Sequence, residues 1–266
     1  MMLKKHNNFI FPNWNVPSNV HAVMTTRIKA TPLASSPPPP PSKGGEDNCF
    51  DNFNLATHVG DDLEMVLDNR RLLKTELSLP AEPFWLEQIH SNTVVEASID
   101  LVLSQADASY SNQKNVVCTV MTADCLPVLM CSMDGTQIAA IHAGWRGLAN
   151  GIITNTIEAL KTTDLIVWLG AAIGAKQFEV GDDVRDTFLK KSADYAIAFK
   201  AHPPRPPSKG GDWLADIYAL ARIELAHLGI TQVYGGEFCT VTDAEKFYSY
   251  RRDKQTGRMA TLIWRS

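Results

Sequence analysis

Long apolar runs are missing from this chain of 266 residues. None reaches the roughly 18 residues that a membrane-spanning helix needs. An excess of charge is missing as well. A formal net charge of −4 supplies neither a basic field for nucleic acid nor a polybasic patch for a lipid surface, so neither partner is expected. The signatures G-x-G-x-x-G and G-x-x-x-x-G-K-[ST] are absent, which removes the dinucleotide fold and the phosphate-binding loop from consideration. The opening MMLKKHNNFIFPNW has basic residues but no apolar core or small-residue cleavage site, so it does not read as an export signal. Cysteine is sparse. Cys49, Cys118, Cys125, Cys131 and Cys239 are odd in number and widely scattered, which argues against a disulfide framework. Reduced thiols and a cytoplasmic location are expected.

What remains is an ordinary globular composition, 45% hydrophobic and 20% charged, in a length that suits one large domain or two small ones. Residues 31–48 and 201–212 are rich in proline and share the hexamer PPSKGG, but their surroundings differ, so they are not a solenoid repeat. Consecutive prolines lack amide donors and favour extended geometry. Both stretches are expected to be surface loops inserted in a single domain spanning 1–266, because strand-like segments resume on either side.

Short, β-branched, apolar segments bounded by Gly, Asp, Asn or Pro read as strands. They are Val20 to Thr26, Thr93 to Ala97, Val116 to Met121, Pro127 to Cys131, Ile138 to His142, Ile166 to Gly170, Gln232 to Gly236 and Ala260 to Trp264. Helical periodicity marks Asp62 to Leu77, Leu148 to Lys161, Val184 to Lys190 and Trp213 to Leu228, with Gly229 as a stop. The pattern predicts an α/β domain on a large mixed sheet or two packed sheets.

Chemistry concentrates where strands end. Cys125 lies in a turn between two strands, and His142 closes the next one. His90 falls between the apolar Trp85-Leu86 and the Thr93 strand. One thiolate and two imidazoles suit zinc, with a fourth position for solvent. The spacing is not that of a zinc finger, and a buried thiol beside a hydrogen-bonded core histidine fits the same residues. Arg146 stands at an expected helix start, with Gly144 and Gly147 allowing close backbone approach, and reads as an anion site or as an exposed ion-pair partner. Arg251 and Arg252 lie among aromatics near the C-terminus.

The blocks NLATHVGDD with Asn69-Arg70, QIHSNTVV, TADCLPVLM, AAIHAGWRGLANGI, AAIGAKQFEVG and FYSYRRDKQTGR, in this order, resemble the signature blocks of the laccase-domain (YfiH-like) family. That family is also called multicopper polyphenol oxidase, purine nucleoside phosphorylase and peptidoglycan editing factor. The resemblance runs from about Val20 to Trp264. It implies a single α-β-β-α layered sandwich with mixed sheets, and zinc ligands at His90, Cys125 and His142. It also implies phosphorolysis of adenosine, inosine and methylthioadenosine together with deamination of adenosine. The PPSKGG loops depart from the pattern.

On this reading the substrates are purine nucleosides and phosphate, and oligomeric state is left open. Asp124 and then Glu87 are the carboxylates expected to shuttle protons alongside Cys125. Arg70 and Arg146 are expected to hold phosphate, with Asn54 and His58 as hydrogen-bonding neighbours and Arg251 behind them. A metal-free alternative uses Cys125 as a thiolate nucleophile paired with His142, in a hydrolase that edits peptidoglycan precursors. A third is a copper-dependent polyphenol oxidase, for which seven histidines are few. The remaining class is a non-enzymatic binding module.

Overall fold

A computed structural model describes residues 8–29, 49–50, 52–98, 104–202 and 212–266. The first proline-rich stretch, 31–48, lies outside the described residues, as do 203–211 of the second.

The chain opens on β1 (Phe9–Ile10) and β2 (Val20–Thr25). Helix α1 (Leu63–Glu76) follows, capped by Asp62, which accepts from the Met65 amide at 3.1 Å. Next come β3 (Pro83–Phe84), β4 (Leu86–Glu87), β5 (Val94–Glu96), β6 (Ser104–Gln105) and β7 (Ala108–Ser111). The central strands β8 (Val117–Thr122), β9 (Leu126–Ser132) and β10 (Ile138–Ala143) are buried at every residue. Helices α2 (Trp145–Ala149) and α3 (Ile152–Leu160) lead to β11 (Leu165–Leu169), β12 (Glu179–Val180) and α4 (Asp182–Leu189). The rest is a 3-10 helix (Ala193–Ala198), β13 (Phe199–Ala201), β14 (Trp213–Ala215), α5 (Ile217–His227), β15 (Gln232–Gly235), α6 (Tyr250–Asp253) and β16 (Met259–Arg265).

Two mixed sheets dominate, ordered β1-β2-β16-β8-β3 and β15-β11-β9-β10-β7-β5. They meet face to face through residues such as Cys118, Val120, Leu129, Cys131, Ile138 and Trp168. On the outer face of the six-stranded sheet, Leu126, Val128, Met130 and Ile141 pack against Ile153 and Ile157 of α3 and Leu220 and Leu225 of α5. On the outer face of the other, Val117, Met121 and Leu262 pack with Leu73 of α1. The molecule is therefore the expected α-β-β-α sandwich. Alternate residues of β9 serve opposite cores, which is the two-residue period of a strand. With both faces covered, the sequence reads as a continuous apolar run instead of an alternating one.

All eight expected strands are present within one residue at each end. Two helices need correction. Leu148 to Lys161 is not continuous, because Gly151 takes φ +83° and separates α2 from α3. Trp213 to Leu228 begins as a strand. Trp213–Ala215 pairs with β12 and β13, and the Asp216 carboxylate then caps the Tyr218 and Ala219 amides at 3.0 Å each, so the helix starts at Ile217. Gly229, at φ +79°, ends it as expected. The five cysteines are free, and no helix among the described residues is long and apolar enough to cross a membrane.

One feature of the topology builds the site. Strands β8 and β9 belong to different sheets, so the link at 123–125 crosses between layers. Strands β9 and β10 are antiparallel neighbours, with Leu126 opposite Ala143 and Pro127 opposite His142. The start of one and the end of the other therefore coincide.

Candidate functional site

Cys125 is presented by a strained turn. Asp124 takes φ +90°, a conformation costly for a residue with a side chain. It is held there from both ends of its carboxylate. The Thr240 hydroxyl donates to Oδ1 at 2.5 Å, and the Arg251 amide donates to Oδ2 at 2.6 Å.

His142, near the end of β10, is 4% exposed. Its Nδ1 lies 2.8 Å from Asp107 Oδ1. An ionised carboxylate only accepts, so Nδ1 donates to Asp107, and Nε2 faces away from it, open to a metal once any proton held there is displaced. His90 sits in the loop between β4 and β5 at φ +59°. The amides of Ile89, His90 and Ser91 donate to the same Asp107 carboxylate at 3.3, 3.0 and 2.5 Å, and the Ser91 hydroxyl does so at 2.7 Å. Gln88 pins the loop from the other side, accepting from the Met121 amide at 2.7 Å and donating to its carbonyl at 2.8 Å.

These elements converge. The Sγ and ring nitrogens of His90, Cys125 and His142 all lie within 4.8 Å of one another, with Cys125 Sγ 3.9 Å from His90 Nε2. Ligands of one tetrahedral ion stand about 3.5 Å apart, so the set needs only small side-chain movements to close on a metal. Burial opposes the Cys125 thiolate, but the imidazoles of His142 and His90 outweigh it and hold the thiol at about 6. Burial likewise opposes charge on His142, and the Cys125 thiolate and the Asp107 carboxylate outweigh it, raising its pKa to about 9. Asp107 would rise through burial, but the hydrogen bonds from His142 and Ser91 bring it down to about 2. A deprotonated sulfur, two oriented imidazoles and a buried carboxylate behind one of them fit a metal centre.

Gly144 forms the floor of this centre. A Cβ there would lie 3.1 Å from Cys125 Sγ, 3.3 Å from His90 Cδ2 and 3.7 Å from His142 Nε2. Its φ of −62° suits any residue, so the space itself demands glycine. Gly144→Ala is expected to keep a folded chain but weaken metal binding by roughly tenfold or more, as a group crowding the donors does. Chelator competition measures this, and unchanged affinity with an intact fold would show the floor to be loose.

The three donors open on a cavity of about 470 Å³. His58, Asp124, Arg146 and Arg251 share its wall. Arg70, Asn54 and Glu87 do not line it. Arg70 donates through Nε to the Leu55 carbonyl at 2.9 Å and lays its guanidinium 3.9 Å from the Trp85 ring centroid, while burial lowers its pKa to about 10. Glu87, exposed on β4, accepts from Gln105 at 3.1 Å. Asn54 is fully buried, and its Oδ1 accepts from the Ala56 amide at 3.0 Å and the Arg258 amide at 2.9 Å. Its link to the cavity thus runs through Arg258.

Residues not singled out from the sequence complete the wall. Arg258 lines the cavity, as do Gln88 and the aromatic residues Trp145, Phe178 and Tyr250. Arg258 Nη1 donates to the Thr256 and Gly257 carbonyls at 2.7 and 3.0 Å, and among the described residues no acceptor engages its Nε or Nη2. Arg251 instead spends both terminal nitrogens on the Gln177 and Glu179 carbonyls, each at 3.2 Å. Desolvation, then the charges of Arg258 and Arg70, hold His58 below the usual imidazole range. Arg258 was visible as the last residue of FYSYRRDKQTGR, whereas Asp107, in SQADASY, carried no motif.

The family model described as multi-copper polyphenol oxidoreductase laccase matches residues 42–266. A Pseudomonas aeruginosa protein named purine nucleoside phosphorylase PA4543 is 46% identical over 260 residues, covering 97% of this chain and 98% of that protein. The Escherichia coli K12 protein named purine nucleoside phosphorylase YfiH is 44% identical, covering 96% and 98%. The crystal structure of Neisseria meningitidis protein NMB0706 superposes with a TM-score of 0.84 at 44% identity, covering 97% of this chain and 99% of that one. With its fold, its ordered blocks and its full-length relatives in agreement, the chain belongs to the laccase-like family of YfiH.

Proposed function

We propose that the chain is a zinc-dependent purine nucleoside phosphorylase, acting on adenosine, inosine and methylthioadenosine, with hydrolytic deamination of adenosine as a second activity. The observation that carries this reading is the three-donor cluster on the wall of a cavity whose other charged lining is mostly cationic. The names of the full-length relatives support it. A thiolate and two imidazoles suit zinc, with copper as the alternative, and the bound ion would supply Lewis acidity.

The chain's own residues then have distinct tasks. Phosphorolysis brings a phosphate oxygen to the ribose C1′ while the glycosidic C–N bond breaks and its electrons leave with the purine. Arg258, on the cavity wall with donors to spare, holds the phosphate, and the exposed Arg146 assists at the rim. Trp145 and Tyr250, aromatic residues of the wall, are the candidates to pack against the base. Orientation and preorganised charge do most of the work. In deamination, water adds at the purine C6 and ammonia departs. His58, kept neutral by desolvation and two arginines, is the cavity group suited to move the proton. Asp124, with both oxygens engaged, holds the Cys125 turn, and Glu87 stands off the wall.

Incubating metal-replete protein with adenosine, with and without phosphate, and separating the products by chromatography tests this directly. Adenine and ribose 1-phosphate are expected only with phosphate, and inosine under both conditions. Neither product under either condition would overturn the reading.

A second reading has its own support. Cys125, His142 and Asp107 form a nucleophile, base and orienting carboxylate in sequence. As a cysteine hydrolase editing peptidoglycan precursors, the protein would work at full rate after metal removal, whereas the zinc enzyme would not. Copper oxidation of phenols is less well supported, because the described residues contain a single cluster of metal-binding side chains.

A further inference from the structure

Asp107 is fully buried and absent from the cavity wall, so it does not meet substrate. Yet among the described residues it is the buried carboxylate that touches the supports of both histidine donors. Its Oδ1 accepts from His142 Nδ1 at 2.8 Å and the His90 amide at 3.0 Å. Its Oδ2 accepts from the Ile89 amide at 3.3 Å and from the Ser91 amide and hydroxyl at 2.5 and 2.7 Å. Its main chain repeats the pattern, donating to the Thr93 carbonyl at 3.0 Å and accepting from the His142 amide at 2.7 Å. The loop carrying His90 and the strand carrying His142 are 52 positions apart in the chain, and one residue fastens them together.

We propose that Asp107 is the positioning residue of the metal centre, setting both histidines at once. Through Oδ1 it fixes the His142 tautomer that turns the Nε2 lone pair toward Cys125. Through both oxygens it gathers the three successive amides at 89–91 and keeps His90 in its left-handed conformation. The inference rests on the reading of the cluster as a metal site. It adds that the geometry of the site is stored in a carboxylate outside it.

Two isosteric features make this testable. Asparagine has one accepting oxygen and one donating nitrogen. If the nitrogen takes the Oδ2 place, it faces the Ile89 and Ser91 donors and the His90 loop loses its anchor. If it takes the Oδ1 place, His142 must move its proton to Nε2, the atom facing Cys125. Asp107→Asn therefore fails to substitute in either orientation.

The experiment titrates zinc against a chelator in wild type, Asp107→Asn and Ser91→Ala, and records the visible absorption of the cobalt(II) forms. Asp107→Asn is expected to bind zinc about 10- to 100-fold more weakly and to change the cobalt spectrum, as lost outer-shell partners do. Ser91→Ala removes one donor from the half-buried loop and is expected to weaken zinc by roughly threefold to tenfold, which keeps the test alive if Asp107→Asn does not fold. Wild-type affinity and spectrum in a folded Asp107→Asn, or in Ser91→Ala when Asp107→Asn does not fold, would overturn the proposal while leaving the metal site intact. Wild-type protein with no measurable zinc affinity would overturn both.

Discussion

Cys125→Ala is expected to yield a folded chain without its metal and without turnover. The sulfur is the one anionic donor of the cluster, held near pKa 6 by the two imidazoles although burial opposes its ionisation. Removing it leaves two neutral nitrogens, and metal affinity is expected to fall by at least about 100-fold, more than the loss of an outer-shell partner costs. The fold has little stake in the sulfur. Cys125 is half-buried and is not part of the apolar cores. Its turn is held by Asp124, Thr240 and Arg251, none of which the substitution touches. Stability of the metal-free protein should therefore change by no more than about 1 kcal/mol. Elemental analysis of freshly purified protein, with thermal unfolding of the metal-free form, checks both halves. One full equivalent of zinc in the variant would refute the ligand assignment. Loss of turnover with metal retained would move the cysteine to the nucleophile role of the hydrolase reading.

The reach of the sequence follows from how far each signal extends along the chain. Strands such as Pro127 to Cys131 and Ile138 to His142 were readable because both faces are covered, which writes burial as an uninterrupted apolar segment. Two-residue strands such as Phe9–Ile10 and Glu179–Val180 have no period to read and exist only through their partners. Trp213–Ala215 looked helical in continuity with α5, and pairing with two neighbouring strands overrode that local preference. The three donors could be named from the ordered blocks that carry them. Their backing could not. The contact between Asp107 and the 89–91 amides spans at least 16 positions, and no local pattern distinguishes that aspartate from a surface one. Among the arginines, Arg251 and Arg258 look alike in FYSYRRDKQTGR. What separates them is which carbonyls each guanidinium has already met, and that exists only in three dimensions.

The same accounting drives the other large expected effect. Arg258→Gln is expected to raise the KM for phosphate by about 10- to 100-fold, the value of a charge-assisted hydrogen bond lost inside a cavity. The KM for nucleoside should change far less. Arg251→Gln should act mainly on stability, since its terminal nitrogens hold the Gln177 and Glu179 carbonyls. His58 provides a second readout that does not need turnover. Desolvation first, and the Arg258 charge next, lower its pKa. In the folded wild type it therefore binds a proton less readily than in the unfolded chain. Its contribution to stability is intact above the ordinary imidazole pKa of about 6.5 and declines as pH falls below that value. Without the Arg258 charge its pKa should move upward, and the decline should become shallower. A proton NMR titration of His58 follows the first change, and unfolding measured from pH 8 to pH 5 follows the second. An unchanged phosphate KM with a shifted His58 would place the arginine near the imidazole but away from the anion, and the phosphate would then have to be held by Arg146 at the rim.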